Sequence, residues 1–179
     1  MSDDKTLVEN TLNGDLDSFS CIVNKYQNQI YCFLIKLTSN KEDSEELLQD
    51  VFIRAYRYLY RFNSKYNFST WIYKIAVNAF RDYYKKKKKH DIMQIQIEEV
   101  FCDDVKSLEE EYEKKEVLRE VLIAINTLKK GQKEALILKY IKGFNYREIG
   151  EVLKISSENA KVRVNRARKS LVKKCAGGK

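Results

Sequence analysis

No proline interrupts this chain of 179 residues, and glycine occurs only six times. Sandwiches and barrels need turn residues at short intervals, so the composition favours a helical protein over a strand-rich one. The apolar residues recur at helical spacing instead. An all-α protein follows, long enough for one ordinary domain or two small ones.

A short helix spans Lys5 to Asn13 and ends at Gly14, a residue suited to a left-handed cap. Asp17 or Ser18 caps the next helix, whose apolar positions include Phe19, Ile22, Tyr26, Ile30, Phe33 and Leu37. Ser39 or Asn40 caps a long third helix, Asp43 to Arg61, with acidic residues in its first turn. A loop, Phe62 to Phe68, leads into a helix whose inward face is Trp71, Ile75, Ala79 and Tyr83, and which ends in five lysines, Lys85 to Lys89. These lysines read as a solvated, sequence-blind contact. From His90 to Glu111 periodicity weakens and acids accumulate, as in a linker. Helices resume at Tyr112–Leu128, Gln132–Ile141, Tyr146–Leu153 and Ser157–Lys174.

The net charge of +8 conceals an alternation. Residues 1–50 carry −6, 51–90 carry +10, 91–116 carry −7 and 117–179 carry +11. Two separate basic footprints point to a chain that touches nucleic acid twice. The four cysteines (Cys21, Cys32, Cys102, Cys175) are widely spaced, without CxxC, and His90 is the single histidine. Neither a zinc site nor a disulfide framework is suggested, and Cys21 and Cys32 read as small core residues. There is no phosphate-binding glycine loop and no metal-site pattern of acids, so no enzyme activity and no cofactor are expected. No signal peptide opens the sequence, and no apolar run reaches the roughly 18 residues of a membrane span. A cytoplasmic protein without membrane insertion is expected.

The segment FNYREIGEVLKISSENAKVRVNRARKSL has the pattern of a helix-turn-helix. Asn145 and Glu148 form a capping-box pair. KIS makes the turn, and Ser156 or Ser157 caps a second helix with Ala160, Val164, Ala167 and Leu171 as its core stripe. Its opposite side carries Glu158, Lys161, Val162, Asn165, Arg166 and Lys169. A short helix, a tight turn and a longer basic helix place the second helix in a major groove. The alternative is an amphipathic hairpin with a solvated basic face.

DSEELLQDVFIRAYRYLYRF, a loop, then FSTWIYKIAVNAFRDYY resembles region 2 of a bacterial sigma factor. GQKEALILKYIKGFNYREIGEVLKISSENAKVRVNRARKSL is similar to region 4 of the same proteins. The direct linkage of these blocks resembles the extracytoplasmic-function (ECF) sigma factors of the sigma-70 family. The resemblance runs from about Lys5 to Lys173. It implies two small helical domains, a region 2 bundle (residues 1–90) and a region 4 helix-turn-helix (residues 112–179), joined by an acidic linker (residues 91–111). The implied partners are core RNA polymerase, promoter DNA and an anti-sigma factor.

The resemblance also implies site residues. Glu46, Gln49 and Asp50 fall where sigma factors grip the polymerase clamp helices. Their spacing of i, i+3 and i+4 allows one partner helix to meet all three. The loop residues Asn63, Ser64, Lys65, Tyr66 and Asn67 are placed to capture an unstacked base of the −10 element on the non-template strand. Phe68 and Trp71 read as buried, while Tyr66 stays open between burial and base contact. Lys74, Asn78 and Arg81 (with Lys85) could follow the promoter backbone. Glu158, Asn159, Lys161, Arg163 and Arg166 are the implied readers of the −35 duplex. Asp50 replaces a more usual Glu, and Lys130-Gly131 replaces a proline before Gln132. The expected function is an alternative sigma factor that directs core polymerase to specific promoters and assists melting. The competing one is a stand-alone helix-turn-helix activator or repressor, with the first block as a sensor or dimerisation domain.

Overall fold

The structure, a computed structural model, describes residues 3–87 and 123–176. The chain divides into two units, Met1–Ile97 and Glu98–Lys179, and every regular element among the described residues is helical. The proposed linker and most of the helix expected at Tyr112–Leu128 lie outside those residues.

The first unit contains α1 (Asp4–Leu12), α2 (Leu16–Thr38), α3 (Lys41–Arg57), a 3-10 turn (Leu59–Arg61) and α4 (Phe68–Lys87). Gly14, at φ +99°, lets the chain reverse at once after α1. The cap of α2 therefore falls earlier than Asp17 or Ser18. It is Asp15, whose carboxylate accepts from the amides of Asp17 (3.0 Å) and Ser18 (3.3 Å). Ser39 ends α2 in the left-handed region, and Asn40 caps α3 by accepting from the Asp43 amide at 2.8 Å. Of the two candidates, only Asn40 is an N-cap.

The long third helix ends at Arg57 rather than Arg61. The chain then tightens into the 3-10 turn, which carries Leu59 into the core while Tyr58 and Tyr60 stay outside. The buried face of α4 is also broader than the stripe expected. Ile72, Tyr73, Ala76, Val77, Ala79 and Phe80 are buried, whereas Trp71, Ile75 and Tyr83 are only half-buried. The reason is that α4 packs against both α2 and α3, so it needs a wide apolar arc. Tyr73 sets its ring edge-on to Phe33 of α2, centroids 5.1 Å apart. Ile22, Ile30 and Leu34 of α2 and Leu47 and Val51 of α3 complete this core. Burial of each such side chain contributes about 1.5–3 kcal/mol. Cys21 is exposed and Cys32 half-buried, so neither is the fully buried core residue anticipated.

The second unit comprises a helical stretch at 123–126, α5 (Lys130–Tyr140), α6 (Tyr146–Leu153) and α7 (Ser157–Ala176). Ile125, Leu128, Leu136 and Ala167 cluster, with Leu171 packed against them. The capping box that opens α6 is formed in both directions. Asn145 Oδ1 accepts from the Glu148 amide at 2.9 Å, and Glu148 Oε2 accepts from the Asn145 amide at 2.8 Å. Lys154 turns left-handed after α6, and the Ile155 amide donates back to Gly150 O at 2.9 Å. A side chain at Gly150 would place its Cβ 2.7 Å from Ile155 O, so the tightness of this turn requires glycine there.

Candidate nucleic-acid interface

On α3 the alternation of core and surface positions turns Glu46 and Gln49 fully outward. Asp50 differs. Its carboxylate is chelated by Arg54 one turn on, Oδ1 to Nε at 2.9 Å and Oδ2 to Nη2 at 2.8 Å. Arg54 then reaches α4, where Nη1 lies 2.7 Å from Asp82 Oδ2. The paired Asp50 carboxylate holds the guanidinium above its ordinary pKa. So the three residues share a face, but only two present free polar groups. Ile53 and Tyr56 continue that face as exposed apolar side chains. Neither is among the residues expected on this face, although both lie off the core stripe, one and two turns beyond Gln49.

The start of α3 is tied to the end of α4. Asp43 accepts from Tyr83 OH at 2.5 Å and from Lys87 Nζ at 2.6 Å. Lys87, with its pKa raised by that carboxylate, is therefore part of the packing between helices and not a free member of the lysine run. Lys85 and Lys86 are exposed.

The loop between the 3-10 turn and α4 leaves Asn63, Ser64, Lys65, Tyr66 and Asn67 all exposed. Its two ends are fixed. Phe68 is buried, and Phe62, Phe68 and Trp71 form a cluster of three rings with centroids 5.3–5.6 Å apart. The Asn63 side chain accepts from the Lys65 amide at 3.0 Å and the Tyr66 amide donates to Asn63 O at 3.0 Å, an Asx-type turn that projects Tyr66 outward. Tyr66, open in the sequence, is 53% exposed. Lys74, Asn78 and Arg81 run at i, i+4 and i+7 along α4, each half-buried.

On α7, Ser156 supplies the cap, accepting from the Asn159 amide at 3.2 Å. Ala160, Val164 and Ala167 are buried, and Glu158, Asn159, Lys161 and Arg166 are exposed on the outer side. Hydrogen bonds from its own amide and from the Ser157 and Ser156 hydroxyls hold the Glu158 carboxyl below the usual range. Arg163 stands apart. It is half-buried, and its Nη1 lies 2.7 Å from where a Cβ on Gly131 would be. Its guanidinium rests on the first turn of α5, in space that glycine leaves open. Val162 and Asn165 are exposed beside Lys161 and Arg166 and belong to the same face. Among the described residues no group of His, Cys, Asp and Glu is arranged to hold a metal ion, and no helix is long and apolar enough to cross a membrane.

Residues 22–90 match the family described as Sigma-70 region 2, and residues 118–171 match Sigma-70, region 4. A helical bundle carrying the first and a helix-turn-helix carrying the second define a sigma-70 factor. The chain is 36% identical over 151 residues to the ECF RNA polymerase sigma factor SigM of Bacillus subtilis, covering 84% of this chain and 90% of that protein. It is 30% identical over 179 residues to the ECF RNA polymerase sigma-E factor of Haemophilus influenzae, covering 96% and 94%. The fold also matches the sigma factor RpoE of Bartonella quintana, solved in complex with the anti-sigma factor NepR. There the TM-score is 0.72 at 24% identity, over 90% of this chain and 98% of that one. The protein belongs to the ECF group of RNA polymerase sigma factors. It binds core RNA polymerase, directs it to promoters and assists opening of the DNA, and the stand-alone repressor or activator reading falls away.

Proposed function

We propose how the named faces divide that work. Glu46 and Gln49 make the direct polar contacts to core polymerase, Asp50 contributes through the face it shares with Arg54, and Ile53 and Tyr56 add apolar area. Asn63, Ser64, Lys65, Tyr66 and Asn67 hold one unpaired base of the non-template −10 strand. Lys74, Asn78 and Arg81 follow its backbone. Glu158, Asn159, Lys161 and Arg166 read the −35 duplex, with Arg163 acting mainly by bracing the recognition helix on α5. Residues 91–111 link the two regions. The protein carries no catalytic chemistry of its own and works in the cytoplasm.

One observation supports this division most directly. Five consecutive polar or aromatic loop residues are exposed between two ends fixed by an aromatic cluster. A mobile tail would pay a large ordering cost on binding a base; a loop with anchored ends pays less. RpoE of Bartonella quintana forms a complex with an anti-sigma factor, and an anti-sigma factor covering the α3 face is part of the proposal. The test is a pull-down with purified core polymerase followed by run-off transcription on an ECF-type promoter. Binding and initiation are the expected result. Tight operator binding without core affinity would overturn it.

A further inference from the structure

The 3-10 turn that precedes the loop carries an exposed pair of tyrosines held by one arginine. Leu59, its first residue, is buried, and the side chains on either side of it in the chain point outward. Tyr58 is 38% exposed and Tyr60 63%, the highest value among the exposed large apolar side chains of the described residues. The Arg61 guanidinium carbon lies 5.1 Å from the Tyr58 ring centroid and 5.3 Å from that of Tyr60. Its Nε donates to Tyr60 OH at 3.0 Å. One cation thus fixes the orientation of two rings without burying either.

The surroundings select a partner. From Val51 to Arg81 the sequence contains no acidic residue. Arg57, Arg61 and Lys65, close to these rings in the sequence, are all exposed. Oriented aromatic faces beside exposed positive charge suit an unpaired nucleic-acid strand, since every base has a face to stack and every step a phosphate. The site is also continuous with the loop. Arg61 and Asn63 are two residues apart, within about 7 Å along the chain, so one short stretch of strand can meet both.

We propose that Tyr58, Tyr60 and Arg61 form a stacking platform for the unpaired promoter strand, taking a base adjacent to the one held by Asn63–Asn67. Arg61 pre-orients the rings, and Tyr60 offers the stacking face. The proposal rests on the reading that the loop holds an unpaired strand, and the experiment separates the two.

Holoenzyme assembled from the full chain and core polymerase is titrated with fluorescein-labelled single-stranded oligodeoxynucleotides, taken from a promoter that supports run-off transcription. Tyr60→Ala weakens binding by between about 5- and about 100-fold, the range for loss of one stacked base. Tyr60→Phe and Tyr60→Trp retain it, and one abasic position in the strand erases the difference between wild type and Tyr60→Ala. Affinity for core polymerase and for a −35 duplex stays unchanged. Equal strand binding by Tyr60→Ala and wild type, with Tyr66→Ala impaired, overturns the platform and leaves the loop reading standing. Failure of wild-type holoenzyme to bind the strand overturns both. A loss of core affinity in Tyr60→Ala would assign the patch to a protein contact and also overturn the proposal.

Discussion

Arg54 on α3 donates to Asp82 on α4 across 2.7 Å while its other edge chelates Asp50. One guanidinium therefore joins the helix proposed to face the polymerase to the helix proposed to follow the promoter strand. The pairs are partly exposed, so their worth is modest, about 0.2–1 kcal/mol each. Arg54→Ala is expected to lower stability by no more than about 2 kcal/mol, and Asp82→Asn by less, in chemical denaturation. A larger loss from Asp82→Asn than from Arg54→Ala would contradict the arrangement.

Because Asp50 is chelated, Gln49 is the cleaner probe of core binding. Gln49→Arg should weaken core affinity at least about tenfold, or about 1.4 kcal/mol, with the circular dichroism spectrum unchanged. Asp50→Arg should lose affinity too, with an added stability loss from releasing Arg54. Unchanged affinity in Gln49→Arg removes that residue from the interface.

Gly150 lies against the backbone of the turn, where a Cβ would meet Ile155 O at 2.7 Å. Backbone cannot swing aside as a flexible side chain can. Gly150→Ala should destabilise the second unit by about 1–3 kcal/mol, the range for overpacking, and weaken −35 binding to the extent that the competent fraction falls. Retained stability in a thermal melt would mean that the turn relaxes freely.

Gly131 makes the opposite case. The atom in the way there is the end of Arg163, which can move. Gly131→Ala lies in the first turn of α5, so the loss of chain entropy favours it by up to about 1 kcal/mol. Stability should hold or rise while Arg163 is displaced. The reading is checked by mapping −35 preference, which should shift at one position without global unfolding.

Lys133 is buried on α5 with its ammonium 2.6 Å from Asn126 Oδ1, and burial pushes its pKa down to about 8. In the unfolded chain it titrates near 10.4. Between these values the unfolded state binds more protons, so stability rises with pH from about 8 to about 10. Below pH 8 the penalty of the buried charge is fully present. Lys133→Met should raise stability at pH 7 by no more than about 3 kcal/mol and abolish the wild-type rise, measured as the difference between the two proteins.

Much of the fold was legible because it follows from local chemistry. Asn145 with Glu148 specifies the start of α6, and Ala160, Val164 and Ala167 specify the buried stripe of α7, each within one helix. The same holds for the outward residues Glu46, Gln49 and Lys161, whose place follows from the helical period. The resemblance carried by EELLQDVF, FSTW and VNRAR gave these faces their partners.

What the tertiary structure decided were relationships between segments far apart in the chain. Periodicity aims α4 at one neighbour, but packing against two rotated and widened its buried face away from Trp71 and Ile75. No local pattern shows that Lys87, within a lysine run, pairs with Asp43 44 residues earlier, or that Asp82 shares Arg54 with Asp50. Arg163 has the composition of a base reader, yet an open space at Gly131 draws its guanidinium to α5. Charge type and helical period are local and can be read from sequence. Which charge is already satisfied depends on what the other helices bring to it, and that is settled only when they pack.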